Sequence, residues 1–300
     1  MIPIAFSDRY LYRLPENHRF PIHKYELVKE QLVYEGIAAP EQFFDPGLCE
    51  EMIITLTHDR QYYQRVVNLD LHPQEIKKIG LPIIPISVKR ARNSVAGTVQ
   101  AAVFALERGI GMNTGGGTHH AFHERGEGFC VFNDMAVAAN YLLDIGKVGK
   151  VLIVDLDVHQ GNGTARIFAR EDSVFTFSMH GQHNYPLKKE KSDLDIDLPT
   201  GADDNTYLKI LADTMPKLLD HHRPDLVFYQ AGVDVLATDK LGKLALTKEG
   251  CKTRDEIVLT HCYQHQIPVV ITMGGGYSAR IADIVEAHCN TFKVATGIFG

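Results

Sequence analysis

The sequence predicts an α/β fold, a single-domain three-layer sandwich in which helices cover both faces of a mostly parallel sheet. The chain has 300 residues, of which 45% are hydrophobic and 23% charged, so it can bury one large core. Short apolar runs alternate with longer segments of helical periodicity, an order typical of parallel sheets with helical crossovers. No internal repeat, low-complexity segment or flexible linker interrupts this order. We therefore assign residues 1–300 to one domain.

Each element has a local signal in the sequence. Strands are predicted at the short apolar runs 2–6, 110–114, 151–154, 173–179, 225–232 and 267–276. Helices are predicted where apolar residues recur at helical spacing, at 21–36, 94–109, 133–146, 205–222, 248–266 and 278–292. Asn133 is placed to cap the third of these helices, and a glycine ends each of the first three. Pro216 is expected to kink the fourth helix.

Charge and cysteine usage exclude several classes of protein. The net charge is −6 without a basic face, so no nucleic-acid partner is expected, and the basic stretch 88–93 is interpreted as a solvated loop. No apolar run approaches the roughly 18 residues that a membrane span needs, and the first ten residues do not resemble a secretory signal. Five widely spaced cysteines without a CxxC pair fit a reducing compartment, so we expect a cytoplasmic protein.

Three polar side chains alternate at the end of the run VLIVDLDVHQGNG, which spans 151–163. Alternate strand residues face the same side, so Asp155, Asp157 and His159 share one face. Asp234 follows another predicted strand, and ligands of parallel α/β sheets bind beyond the carboxyl ends of the strands. Asp157, His159 and Asp234 form a candidate divalent-metal site, because catalytic zinc commonly has three protein ligands and one open position. A buried salt-bridge network is the alternative, and Fe²⁺, Co²⁺ or Mn²⁺ would also suit these donors.

A histidine pair and a tyrosine follow glycine-rich turns at the same predicted edge of the sheet. His119 and His120 follow the turn NTGGGT, and imidazole exchanges protons with water and amines near neutral pH. Two surface histidines are the alternative, which their position after a strand disfavours. Tyr277 follows three glycines and can donate a hydrogen bond to a developing oxyanion. Taken singly, Tyr277 is better explained as an ordinary tyrosine at a helix start.

Five motifs together resemble those of the zinc-dependent histone deacetylase family, which has the arginase-deacetylase fold. They are GGGTHHA, GFCVFND, DLDVHQGNG, AGVD and MGGGY, which occur in the family's order. The resemblance covers nearly the whole chain, and the longer stretches around these motifs look most like the class IV branch and its bacterial relatives. It implies hydrolysis of an acyl-lysine amide with Zn²⁺ as cofactor.

The resemblance also implies roles at the catalytic centre. The three candidate metal ligands match the family's zinc ligands. His120 matches the general base and acid, while Asp155 is implied to orient His119, its electrostatic partner. Asn162 stands where class I enzymes carry an Asp that partners the second histidine, so His120 is expected to contact a neutral amide. Tyr277 matches the tyrosine that polarises the substrate carbonyl.

Further implied residues lie around the substrate tunnel and at potassium sites. Phe129 and Tyr185 match the aromatic walls of the acyl-lysine tunnel, with Gly128 and Gly275 beside them. The family binds a structural potassium through side-chain and backbone oxygens, which here match Asp155, Asp157, His159, Ser178 and Met179. A second, peripheral potassium is implied near Phe168, Val174 and Leu194.

The segment GLPIIPISVKRARNS, residues 80–94, bears on substrate choice. We interpret it as a loop without the carboxylate by which many family members hold the substrate backbone, so strong peptide-sequence specificity is not expected. Its apolar start has two prolines that limit collapse, and the nearby turn NTGGGTHH has small residues. These features predict an apolar cavity for acyl chains longer than acetyl, since each buried methylene could contribute about 0.8 kcal/mol.

The sequence therefore predicts a zinc-dependent amidohydrolase that removes acetyl or longer acyl groups from lysine side chains of proteins or peptides. An acetylpolyamine deacetylase remains an alternative in the same fold. A two-metal ureohydrolase is disfavoured, because Gly161 stands where its second metal needs a carboxylate. A non-catalytic acyl-lysine reader is disfavoured, because neither a metal ligand nor the tyrosine is missing.

Overall fold

The sheet contains eight strands, all parallel, in a computed structural model that describes residues 2–300. Its spatial order is β2-β1-β3-β8-β7-β4-β5-β6. The strands are β1 Ile4–Ala5, β2 Phe43–Phe44, β3 Ile110–Asn113, β4 Val151–Asp155, β5 Val174–Gly181, β6 Leu194–Leu198, β7 Leu226–Gln230 and β8 Val269–Thr272. Every residue of β3, β4, β7 and β8 is buried. Because successive strand residues face opposite sides, both faces of the central sheet are covered.

Helices form the two outer layers. They are α1 Lys24–Tyr34, α2 Glu51–Ile54, α3 Arg60–Val67, α4 Pro73–Ile79, α5 Pro85–Arg108, α6 Asp134–Asp144, α7 Asn162–Ile167, α8 Asp204–His222, α9 Lys248–Gln264 and α10 Ile281–Phe299. One packed group contains α1, α10, α9 and α8, and another contains α5 and α6. The predicted fold class is therefore confirmed. Within residues 2–300, no helix is both long and apolar enough to cross a membrane.

The predicted strands and helices all occur, with shifted ends. Asn133 caps α6, because its side chain accepts a hydrogen bond from Ala136 N. Gly109 takes a left-handed φ of 83° and ends α5, a conformation that glycine adopts without steric cost. Helices α2, α3, α4 and α7 and strands β2 and β6 were not predicted. The run LDIDL of β6 alternates apolar and acidic residues, as a mostly half-buried strand does, and it was missed because the predicted strands were sought at continuous apolar runs.

The interpretation of residues 80–94 as a loop is wrong from residue 85 onward, where α5 begins. Pro85 occupies the first helical position, where a missing N–H breaks no intrahelical hydrogen bond. The basic stretch 88–93 is consequently helical and is not a solvated loop. Its Arg90 is only 6% exposed and donates hydrogen bonds to the Tyr10 carbonyl and the Tyr25 hydroxyl.

Candidate active site

The carboxyl ends of the neighbouring strands β3, β8, β7 and β4 carry the predicted site residues. Asp157 and His159 follow β4, and Asp234 follows β7. The Nδ1 atom of His159 lies 3.0 Å from an Asp157 oxygen and 3.1 Å from an Asp234 oxygen. One donor atom from each of the three buried side chains lies within 4.8 Å of the others. The structure therefore brings the predicted metal ligands together.

The electrostatics of this cluster favour a bound cation. Burial and the nearby Asp157 carboxylate raise the pKa of Asp234 to about 7. Burial alone would lower the pKa of His159, but hydrogen bonds to the two carboxylates outweigh burial and raise it to about 10. Within residues 2–300, these carboxylates form ion pairs with histidines, while the buried Lys24 ammonium interacts with both of them only from beyond ion-pair distance. Two buried carboxylates and one imidazole fit a divalent cation such as zinc, because buried charge requires a partner.

Glycine allows the carboxylates to approach the backbone. A Cβ atom at Gly275 would overlap an oxygen of Asp234, and one at Gly232 would lie 2.9 Å from Cγ of Asp157. The N–H of Gly275 donates to Asp157 Oδ2 over 2.8 Å, and the N–H of Val158 donates to Asp234 Oδ1 over 2.9 Å. Gly275, expected along the substrate tunnel, thus also packs against the metal ligands.

The two tandem histidines have different surroundings. The Nδ1 of His119 lies 2.7 Å from an Asp155 oxygen, while the Nδ1 of His120 lies 2.6 Å from Oδ1 of Asn162. Burial alone would lower the pKa of His119, but the carboxylates of Asp155 and Asp157 outweigh burial and raise this pKa to about 9. Burial, helped by the charges of neighbouring histidines, holds the pKa of His120 well below its ordinary value. The carboxylates thus favour the protonated form of His119, whereas burial favours the neutral form of His120.

A carboxylate behind Asn162 was not found by sequence reasoning. Oε1 of Glu127 accepts a hydrogen bond from the Asn162 amide over 3.0 Å and another from the Tyr185 hydroxyl. The Tyr185 ring packs edge-on against His120, with centroids 5.1 Å apart. A chain of contacts thus joins His120 to the cavity mouth. The position of Glu127 one residue before the motif GFCVFND is the signal that could have identified it.

An open cavity of about 320 Å³ leads to the metal ligand His159. Phe129, Tyr185 and Gly128 line it, as expected for a substrate tunnel. Phe129 has a left-handed φ of 69°, and its N–H donates to the carbonyl of Ile79 at the end of α4. A Cβ atom at Gly128 would come within 2.6 Å of the His120 ring. The tunnel wall therefore depends on the close approach of the Gly128 backbone to His120 and on α4, a helix that was not predicted.

Tyr277 borders the same cavity and packs against Phe129, with ring centroids 5.9 Å apart. Its backbone N–H donates to Asp239 over 2.6 Å. The other oxygen of Asp239 accepts the N–H groups of Leu241 and Gly242, both over 2.8 Å. Asp239, which sequence reasoning also missed, therefore ties the Tyr277 turn to the 239–242 loop.

A second cavity, of about 30 Å³, extends from the site into the core. His120, His159 and Tyr277 border both cavities, while Arg90 and Gly117 border only the second. Its volume exceeds the roughly 10–15 Å³ that a single water molecule requires.

The residues expected to bind potassium lie on β4, on β5 and in adjoining segments. Asp155 pairs with Ser178 in the register of β4 and β5, and the next residue, Met179, is fully buried. The Ser178 hydroxyl lies 2.9 Å from Nδ1 of His180. For the second potassium, Val174 and Leu194 open β5 and β6, and Phe168 follows α7.

Comparisons with known proteins agree with this geometry. The model of the histone deacetylase domain matches residues 18–292. An uncharacterised protein of Picosynechococcus sp. is 43% identical, over 99% of this chain and 99% of its own length. Histone deacetylase 2 of Arabidopsis thaliana is 30% identical, over 95% of this chain and 78% of its own length. Acetoin utilization protein AcuC of Staphylococcus aureus is 27% identical, over 91% of this chain and 76% of its own length.

Solved structures share the architecture. The crystal structure of a histone deacetylase homolog from Aquifex aeolicus superposes with a TM-score of 0.83 at 22% identity, covering 99% of this chain and 84% of that one. Fold and site thus define an α/β protein with a buried Asp-His-Asp metal-binding group at the sheet edge. The chain belongs to the histone deacetylase family, as its motifs indicate.

Proposed function

We propose that residues 1–300 form a zinc-dependent amidohydrolase that removes acyl groups, acetyl foremost, from the side-chain amine of lysine in proteins or peptides. The observation that carries the proposal is that His159, His120 and Tyr277 line one open cavity, while the other two metal ligands contact His159 and His119 borders the adjoining second cavity. Membership of a hydrolase family supports it. The motifs favour the class IV branch, and five buried free cysteines support a reducing cytoplasm.

Asp157, His159 and Asp234 would hold the zinc ion. When bound there, zinc supplies Lewis-acid polarisation of the amide carbonyl and lowers the pKa of water to about 7.

The remaining chemistry belongs to side chains of this chain. Asn162 holds Nδ1 of His120, which leaves Nε2 free to take a proton from water and to pass it to the departing lysine amine. Tyr277 would donate a hydrogen bond to the oxyanion that develops on the carbonyl. The charged His119, held by Asp155, would add positive potential beside the ligand Asp157, from which its Nε2 lies 3.9 Å away. The products are a free amine and a carboxylate.

The length of the acyl chain that the site prefers is inferred from the second cavity. A volume of about 30 Å³ suits an acetyl methyl group better than a long chain. The expectation of long-chain hydrolysis depended on an apolar loop with two prolines at 80–88 and on the small residues of the turn NTGGGTHH. Helix α5 begins within that loop, at Pro85, and its Arg90 lies beside the second cavity. We therefore propose that acetyl-lysine is hydrolysed faster than octanoyl- or myristoyl-lysine.

We also propose that potassium binds beside the zinc site at Asp155, Ser178 and Met179. The pairing of Asp155 with Ser178 supports this proposal. The test is elemental analysis of protein dialysed against a potassium buffer and of protein dialysed against a buffer of a large organic cation. Absence of potassium from the protein dialysed against potassium would contradict the proposal.

A small-molecule deacetylase is the second candidate, favoured by the similarity to an acetoin utilization protein. The deciding experiment measures kcat/KM for acetyl-lysine peptides, octanoyl-lysine peptides and an acetylpolyamine, each with and without chelator. The proposal expects chelator-sensitive hydrolysis of acetyl-lysine peptides above the other two. Faster acetylpolyamine turnover would favour the second candidate, and peptide binding without any hydrolysis would indicate a reader.

A further inference from the structure

Cationic side chains surround the mouth of the open cavity. Arg19, Lys78 and Lys243 line it together with His183, and all four are exposed. They come from four separate segments of the chain. These cationic side chains cluster at the mouth although the whole protein has a net charge of −6. The mouth therefore has a charge opposite to that of the rest of the molecule.

These cations have no anionic partner in the described part of the chain, residues 2–300. The Arg19 guanidinium lies over the Phe129 ring, 5.2 Å from its centroid. The Lys243 ammonium donates to the backbone carbonyl of His183 over 2.9 Å. Neither contact neutralises charge, and Lys78 has a solvated side chain. Their positive charge therefore faces the solvent from which a substrate arrives.

Nearby carboxylates do not compensate for this charge. Among the described residues 2–300, no Asp or Glu lines the cavity. Glu127 lies behind Tyr185 and is held by Asn162, with Arg125 Nε 3.6 Å away. Asp239 is turned toward three backbone N–H groups. A cationic ligand would consequently meet like charges at the mouth and no anion that could hold it.

We infer that this mouth selects acyl-lysine peptides with Asp or Glu beside the acylated residue, and disfavours acetylpolyamines and acyl-lysines in Lys/Arg-rich segments. The inference rests on the proposed function and refines its substrate class. Uncompensated charge at a cleft raises the local concentration and association rate of oppositely charged ligands by about 10- to 1,000-fold at low salt. The effect is screened when the Debye length shrinks to about 8 Å at physiological salt.

The test compares acetyl-lysine peptides that differ only in flanking residues, which are Asp, Ala or Lys. Both kcat/KM and Kd are measured on the zinc-loaded protein at low and physiological salt. We expect the order Asp, Ala, Lys, with a difference of about tenfold or more between the extremes at low salt that shrinks as salt is added. The variant Arg19→Gln/Lys78→Gln/Lys243→Gln is expected to bring the ratio between Asp and Lys peptides close to one.

A matched control changes the same number of exposed cationic residues elsewhere, as Lys147→Gln/Lys209→Gln/Lys217→Gln, and should keep the wild-type ratio. Equal Kd and kcat/KM for Asp and Lys peptides would overturn the inference, as would an equal loss of preference in the control. If no peptide is hydrolysed but the order of Kd persists, the proposed function fails and the inference stands. Absence of both binding and hydrolysis overturns both.

Discussion

His120 and Asn162 are joined by a hydrogen bond of 2.6 Å between the imidazole Nδ1 and the side-chain carbonyl Oδ1. Because the Asn162 amide also donates to Glu127 over 3.0 Å, its orientation is set from both ends. The carbonyl must then face His120, whose Nδ1 must carry the proton. A neutral residue thus fixes the tautomer that leaves Nε2 of the general base unprotonated.

The first prediction concerns Asn162→Asp. The new carboxylate would meet Glu127 at hydrogen-bond distance, and like charges destabilise each other in a buried site. We expect kcat/KM to fall about tenfold, equivalent to about 1.4 kcal/mol. The double variant Asn162→Asp/Glu127→Gln should recover most of the loss, because the amide can donate to the new carboxylate. No recovery in the double variant would argue against the Glu127 contact as the cause.

The second prediction concerns the metal ligands. Asp157→Ala or His159→Ala should abolish activity and zinc retention together, since each removes one of three protein ligands. Zinc content by elemental analysis and turnover are measured on the same preparation. The control His183→Ala removes an exposed imidazole at the cavity mouth and should keep its zinc. Stoichiometric zinc with normal turnover in the ligand variants would rule out the assignment.

The third prediction separates the two histidines. His120→Ala should be more damaging than His119→Ala, because His120 is assigned both proton transfers and His119 only electrostatic support. Turnover is compared at matched zinc content. The opposite ranking would exchange their roles.

The fourth prediction is that Tyr277→Phe leaves the fold and zinc content unchanged but lowers kcat by about 100-fold or more, a usual loss when one oxyanion donor is removed. The backbone N–H that bonds Asp239 is retained in this variant, so the turn should persist. A change confined to KM would show that Tyr277 only positions the substrate.

The fifth prediction concerns His58, which supports the catalytic loop from behind. Its Nδ1 contacts the Phe122 carbonyl and its Nε2 accepts the Asn133 N–H, both over 2.9 Å, so the ring must be neutral. Burial lowers the pKa of His58 from its ordinary 6.5 to about 4. As pH falls, His58 binds a proton in the unfolded chain before it does so in the folded protein. The contribution of neutral His58 to the free energy of unfolding is therefore complete above pH 6.5 and is lost toward pH 4.

The loss amounts to at most about 3 kcal/mol of unfolding free energy. Urea unfolding at pH 7 and pH 5 measures the part of this loss that falls between the two pH values, about 2 kcal/mol. The variant His58→Gln is a non-titrating control that can make both hydrogen bonds. The wild type should lose more stability than the control between the two pH values. Equal losses would mean that His58 does not titrate on unfolding.

Local patterns predicted the elements that the site needs most. The motif Asp157–His159 stood out because polar residues end a buried strand, and the helix cap Asn133 was read from sequence and is confirmed. Glu127 and Asp239 were missed because their partners, Asn162 and Tyr277, lie 35 and 38 residues away. Such pairs depend on how the sheet brings loops together, which local periodicity does not encode.

The start of α5 was missed for a different reason. Pro85 was interpreted only as a limit on loop collapse, but at the first helical position its fixed φ favours the helix. Arg90 belongs to the basic stretch 88–93 that was interpreted as a solvated loop, although it is buried beside the second cavity. The long-chain expectation depended partly on this loop and partly on the small residues of the turn NTGGGTHH.

The two edge strands of the sheet, β2 and β6, have backbone N–H and C=O groups that could pair with a strand of another molecule. Strand β2 has only two residues, and β6 carries Asp195 and Asp197 on its short span. Short or charged edge strands resist pairing with a second chain. We therefore expect the folded protein to resist fibrillar aggregation through its sheet edges, even though its central strands are among the most apolar segments of the chain.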